Sequence, residues 1–316
     1  MKPERNYGID LIRGISVFYI VSYWHLFNYT QAFRGYYNPF THNLTRIILA
    51  SFVFISGYLI ASKNLKINWQ NIITFWRKRL IRIYPLYALA LLLFYWQDIA
   101  NSQTLIKAAF LLSMFFPPAP YTLWFITMIM IFYLVAPFLL KYANNLTIYL
   151  VLTGLLWLIF LFKGTSEISL YFPSFALAMW LRANPGWLNK LQQQQFILTI
   201  IFVILFVLKI TGYLTMKWLG IEIFFINLGA ILFYLYSYQI MNRVKYTGLI
   251  EQMSYVSFGM YLFHRPIFSL TKSVFFPSSE TAQVIYLLGV ALPLTIIISW
   301  LIQKLYDRFV LSWLKP

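Results

Sequence analysis

The stretch Ile9-Asp10-Leu11-Ile12-Arg13-Gly14-Ile15-Ser16-Val17-Phe18-Tyr19-Ile20-Val21-Ser22-Tyr23-Trp24-His25-Leu26-Phe27-Asn28-Tyr29 decides the fold. Crossing the hydrocarbon core of a bilayer as a helix takes about 20 mostly apolar residues, and this run supplies them. It lacks the small-residue cleavage pattern of a signal peptide, so it reads as a first spanning helix kept in the mature protein. It nevertheless carries Asp10, Arg13 and His25, and ionisable groups inside an apolar span cost several kcal/mol. A segment apolar enough to span, yet burdened in this way, predicts a membrane protein with chemistry inside its helices.

The rest of the chain has the same character. Of its 316 residues 61% are hydrophobic and only 10% charged, with a mean hydropathy of +0.70. A soluble domain carries roughly 25% charged residues, so a water-exposed surface does not fit this composition. The absence of cysteine excludes a disulfide scaffold and thiolate metal sites, and no metal cofactor is expected. Apolar runs near 9–29, 45–63, 82–97, 122–140, 146–163, 168–183, 196–215, 218–241, 254–275 and 283–304 predict an all-α polytopic bundle of about ten transmembrane helices. The run 105–116 is too short to span and ends in prolines, which suits a re-entrant or interfacial segment. Nothing marks a second domain: residues 1–316 read as one membrane-embedded domain, with Gln192–Gln195 a polar linker.

Charge orients the bundle. The net charge of +17 could suggest nucleic acid, but cations in cytoplasmic loops and against anionic membrane lipids explain it, and no nucleic-acid partner is expected. With ten spans and a cytoplasmic N-terminus, Arg34, Arg46, Lys107, Lys163, Lys209, Lys217 and Lys272 fall outside. Arg265 lies within a span, and the other seventeen of the 25 Lys and Arg fall inside. An eleventh crossing would invert the basic C-terminal half, so both ends are expected in the cytoplasm of a cell-membrane protein.

The ionisable residues in apolar runs are the functional candidates. Asp10 and Arg13 are three apart, on one helical face, able to pair or to act as an interfacial anchor. His25 lies twelve residues beyond Arg13, roughly 18 Å along a helix axis. It is open to a structural hydrogen bond or to proton transfer, which imidazole performs best near neutral pH. His264 and Arg265 form a second pair, and Glu222 is one candidate partner for Arg265. In Trp76-Arg77-Lys78-Arg79-Leu80-Ile81-Arg82-Ile83-Tyr84-Pro85, Arg79 and Arg82 share a helical face at the mouth of a span. Two guanidiniums so placed suit bidentate binding of phosphate oxygens.

Five segments together resemble the acyltransferase family 3 membrane proteins, which O-acylate surface polysaccharides and related acceptors. They are Ile9-Asp10-x-x-Arg13-Gly14 followed by His25; Phe54-Ile55-Ser56-Gly57-Tyr58-Leu59-Ile60; Arg79-x-x-Arg82-Ile83-Tyr84-Pro85; Leu123-Trp124-Phe125 with Phe132, Tyr133 and Pro137; and Ser257 to His264. The resemblance implies that His25 is catalytic, supported by Arg13 and Asp10. It implies that Arg79 and Arg82, flanked by Arg77 and Lys78, hold the phosphates of an acyl-coenzyme A, acetyl-coenzyme A above all. Ser56, Trp124, Tyr133, His264 and Arg265 then belong with the acceptor, a glycan or lipid-linked glycan.

Two departures from the family pattern carry expectations of their own. Eleven residues separate Arg13 from His25 where the family has ten, which turns His25 by about 120° on a regular helix. A π-bulge between Gly14 and Trp24 would restore the alignment. The stretch Thr127–Ile131 lacks the acid found in many polysaccharide-modifying members. A glycan or lipid transporter is the competing expectation, since ten helices with buried His and Arg also suit a permeation path.

Overall fold

The computed structural model describes residues 5–32, 35–61, 68–214, 218–244, 247–310 and 312. Lys2, Arg34, Lys63, Lys66, Lys217, Lys245 and Lys315, used above for orientation, lie outside the described residues, as do the ends of the 45–63 and 196–215 runs.

The fold is all-α, with no strand among the described residues. The 12 helices among the described residues are α1 (Tyr7–Ser22), α2 (Pro39–Ala61), α3 (Trp69–Trp96), α4 (Ser102–Ala109), α5 (Trp124–Lys141), α6 (Leu146–Lys163), α7 (Ser166–Ala183), α8 (Pro185–Gln193), α9 (Gln195–Ile210), α10 (Leu219–Met241), α11 (Gly248–Val274) and α12 (Glu280–Phe309). Every one of the predicted apolar runs holds a helix, and the 105–116 run holds only the short, amphipathic α4. Among the described residues six helices (α2, α3, α5, α6, α10 and α12) are long and apolar enough to cross a membrane, and α8 with α9, bent by 72°, makes a seventh candidate. The polytopic helical reading stands. The remaining predicted runs, in α1, α7 and α11, form helices that are shorter or more polar. In α11 the polar residues include His264 and Arg265, which are turned inward. Gln192–Gln195 is not a plain linker, because it spans the end of α8, the break at Gln194 and the start of α9.

The chain divides into two compact units. The first comprises 1–12, 37–73 and 128–247. Its core is the close packing of α2 on α7, made possible by Gly57: a Cβ there would sit 2.3 Å from the Phe175 carbonyl oxygen. Within α7, Pro173 has no N–H to give the Ser169 carbonyl. The Trp157 indole of α6 donates to that carbonyl instead, at 2.8 Å. The buried Glu222 of α10 takes Arg46 of α2 at 2.8 Å and pairs with Lys209 of α9, so its partner is not Arg265.

The second unit comprises 13–36, 74–127 and 248–316. Here α11 packs on α12 through Gly259, where a Cβ would meet Ser299 at 2.9 Å, and on α1 through Gly14 against Met253. Pro85 lies inside α3, not at its mouth. The 28 residues of α3 make a rod of about 42 Å, longer than the hydrocarbon core, so the basic segment need not begin a new helix. Pro85 leaves the Ile81 carbonyl without its helical donor, and the Tyr306 hydroxyl of α12 donates to that oxygen.

Candidate active site

His25 sits beyond the end of α1. The helix stops at Ser22, whose hydroxyl donates back to the Phe18 carbonyl. Tyr23 leaves helical geometry (φ −128°, ψ −66°), and Trp24–Asn28 form a 3₁₀ turn. The predicted π-bulge is therefore absent from this helix. The extra residue is taken up by a break followed by tighter winding, at 3.0 instead of 3.6 residues per turn. The aromatic side chains around the break pack on Tyr36: Tyr23 at 4.6 Å, Phe27 at 5.9 Å and Trp24 at 6.2 Å between ring centres. Burial there, reinforced by the neighbouring Tyr19 and Tyr23, raises the pKa of the Tyr36 hydroxyl. Among the described residues the only π turn, Leu287–Ala291, interrupts α12.

The break delivers His25 to His264. Their nearest nitrogens, Nδ1 of His25 and Nε2 of His264, are 2.9 Å apart, with ring planes 2° from parallel and ring centres 4.9 Å apart. That geometry suits an N–H···N bond lying close to the ring planes. Both side chains are buried. The protons can be assigned by elimination. Nδ1 of His264 faces the carbonyl oxygens of Tyr261 at 2.9 Å and Met260 at 3.2 Å. A carbonyl only accepts, so this nitrogen carries the hydrogen. In the neutral pair His264 then offers a lone pair at Nε2, His25 donates its Nδ1–H to it, and the His25 lone pair is left at Nε2. No hydrogen bond among the described residues engages that atom.

The surroundings hold this arrangement in place. Tyr261 donates its hydroxyl to the Thr122 carbonyl at 2.8 Å, which fixes the turn of α11 that carries the His264 acceptors. Asn28 donates to the His25 carbonyl at 3.1 Å, which secures the 3₁₀ turn. Arg265, 9% exposed, lays its guanidinium over the Tyr121 ring at 4.9 Å and lies beside the Tyr29 hydroxyl. Every one of these residues belongs to the second unit.

The other sequence-predicted residues fall elsewhere. Arg13 lies twelve residues back on α1, and His25 has His264 as a hydrogen-bond partner. Asp10, in the first unit, pairs with Arg5 at 2.6 Å. Arg77, Lys78, Arg79 and Arg82 share the second unit with His25. Arg77, Lys78 and Arg82 are exposed, while Arg79 is half-buried with its guanidinium over Phe75. Trp124 opens α5 and packs on Phe125. Ser56 and Tyr133 belong to the first unit, where the Ser56 hydroxyl donates to the Phe52 carbonyl and Tyr133 packs near Phe175. Sequence reasoning missed Tyr29, Tyr121 and Thr122. The available signals were slight: Tyr29 stands four residues after His25, and Tyr121 and Thr122 directly precede Leu123-Trp124-Phe125.

A family model described as an acyltransferase domain covers residues 6–304. No curated protein and no solved structure matches the chain.

Proposed function

Because the chain belongs to this acyltransferase family, we propose that it is an integral-membrane O-acyltransferase that moves an acyl group, acetyl in the simplest case, from cytoplasmic acyl-coenzyme A to a hydroxyl of a glycan, exopolysaccharide or lipid-linked acceptor. The observation that carries this reading is the buried His25–His264 pair, which leaves one imidazole lone pair, at Nε2 of His25, available as a base. A positioned general base of this kind contributes about 10²–10⁴-fold to rate.

The reaction balances with these residues alone. The acceptor O–H gives its proton to Nε2 of His25 as its oxygen bonds to the thioester carbonyl carbon. The C–S bond then breaks, and the coenzyme A thiolate takes the proton back from His25. The products are the O-acyl acceptor and free coenzyme A. His264 steadies the transient imidazolium by accepting the Nδ1–H bond throughout. Arg79 and Arg82, with Arg77 and Lys78 alongside, hold the donor phosphates at the cytoplasmic side, a reading the excess of cations in the loops assigned to that side supports. Among the described residues no cluster of His, Asp or Glu is arranged to hold a metal ion. The cell membrane, with both chain ends cytoplasmic, is the setting this division of donor and acceptor requires.

The test is release of free coenzyme A from acetyl-coenzyme A by purified protein in nanodiscs. Wild type is expected to turn over, His25→Ala to lose at least 100-fold in kcat, and Arg82→Ala to raise KM for the donor with little change in kcat. A His25→Ala protein as active as wild type removes the base and overturns the mechanism.

A further inference from the structure

Arg265 is a full charge buried beside the reacting histidine pair, and it forms no ion pair among the described residues. Its Nε has no hydrogen-bond partner. Thr122, 2% exposed and next in sequence to Tyr121, repeats the pattern: its carbonyl accepts from Tyr261, yet its hydroxyl is unpartnered. Buried polar atoms are satisfied in the large majority of cases, so an unfilled donor on the buried Arg265, with a second on Thr122 next in sequence to the Tyr121 ring that Arg265 covers, marks a place where something else belongs. The fold compensates a buried cation where the role is structural, as Lys209 with Glu222 demonstrates. Around Arg265 the compensation is the face of Tyr121 and the hydroxyl of Tyr29, both neutral.

We propose that Arg265 and Thr122 form a subsite for an anionic oxygen group on the acceptor, a carboxylate or a phosphate ester, held next to the His25–His264 pair. The guanidinium fork offers the planar paired donors such a group takes, with the Thr122 hydroxyl as a further donor. The donor molecule does not supply this anion. Its charges are the phosphates assigned to Arg79 and Arg82, while its thioester end, the part that reaches His25, is neutral. The acceptor is therefore acidic: an acidic sugar or a phosphate-bearing glycolipid. This inference rests on the acyl-transfer reading for the identity of the ligand, though not for the existence of the anion site.

The experiment uses the full chain in nanodiscs with three probes: methyl glucuronide, glucose 6-phosphate and the uncharged methyl glucoside. Binding is measured by titration calorimetry to His25→Ala protein, and transfer is measured with wild type and acetyl-coenzyme A. An anionic probe is expected to bind at least ~10-fold better than the neutral one, the scale of a charge-assisted hydrogen bond. Preference for the glucuronide or for the phosphate identifies the source of the anion. In the same background, Arg265→Gln is expected to erase the preference, Arg265→Lys to keep part of it, and Thr122→Val to lower it several-fold, which leaves a second variant if Arg265→Gln misfolds. Equal binding of charged and neutral probes overturns the subsite. So does an Arg265→Gln enzyme that slows transfer to charged and neutral acceptors alike, since that is the signature of oxyanion stabilisation. Arg265-dependent binding of anions without any transfer would sink the acyltransferase reading and leave the anion site standing.

Discussion

Two buried charged clusters in this molecule are built on opposite principles. In the first unit, Glu222 faces Arg46 and Lys209, and its carboxylate answers both cations from inside the protein. In the second, Arg265 rests against neutral aromatic rings, and His25 keeps one nitrogen unengaged. Burying an ion costs several kcal/mol unless a partner repays it. The first cluster is complete as it stands and serves to hold α2, α9 and α10 together. The second leaves the Arg265 Nε without a partner inside the protein, and in the proposed function such groups are met by what binds there.

The contrast is broken most directly at His264, which touches His25 and is a positioning residue in the proposed reaction. His264→Phe removes the acceptor of the Nδ1–H bond and is expected to lower kcat about 100-fold, within the range of a mispositioned general base. KM for the acyl donor should stay near its wild-type value. His264→Gln can present an oxygen to the same N–H, and recovery of most of the lost rate by Gln but not by Phe separates positioning from packing. If Phe at this position retains full activity, the histidine pair is structural and the second cluster resembles the first.

The same comparison predicts the reverse behaviour at Glu222. Glu222→Gln takes the carboxylate from Lys209, whose side chain is 2% exposed, and from Arg46. Breaking a buried pair in this way costs about 3–5 kcal/mol. The expected outcome is a marked drop in thermal unfolding temperature in detergent, with unchanged specific activity in the fraction that remains folded. Loss of activity at full stability would mean that the first cluster is also a working site.

How far these clusters could be read in the sequence follows from how local their signals are. Hydropathy is a property of consecutive residues, so the apolar runs located the helices, and a charge inside a run announced itself at His25, His264, Arg265 and Glu222. Pairing is a property of the tertiary fold. His25 and His264 meet across 239 positions, and nothing in the chain distinguishes Glu222 as a partner of Lys209 from Glu222 as a partner of Arg265. The break at Tyr23 was hidden for a related reason. Helical arithmetic showed that one residue had to be absorbed between Arg13 and His25, but a π-bulge and a 3₁₀ turn both absorb it. The aromatic packing on Tyr36 that accompanies the choice depends on a segment beyond the helix.

The smallest expected effects come from a feature the two units share. Each contains a proline-interrupted helix whose orphaned carbonyl is capped by a neighbouring side chain: Trp157 on the Ser169 carbonyl in one, Tyr306 on the Ile81 carbonyl in the other. Trp157→Phe and Tyr306→Phe each leave one carbonyl without this donor, at a cost of about 1–3 kcal/mol. By stability alone the two variants should look alike. They should differ in function, because Ile81 lies between Arg79 and Arg82, the residues proposed to hold the donor phosphates, whereas Ser169 lies near no proposed site residue in sequence. Releasing the Ile81 carbonyl lets α3 shift where those guanidiniums project, so Tyr306→Phe is expected to raise KM for acetyl-coenzyme A about two- to five-fold, a few tenths of a kcal/mol up to one, at unchanged kcat. Trp157→Phe should leave both constants at their wild-type values. Identical kinetics in the two variants would uncouple the α12 contact from donor binding and confine Tyr306 to the same purely structural role as Trp157.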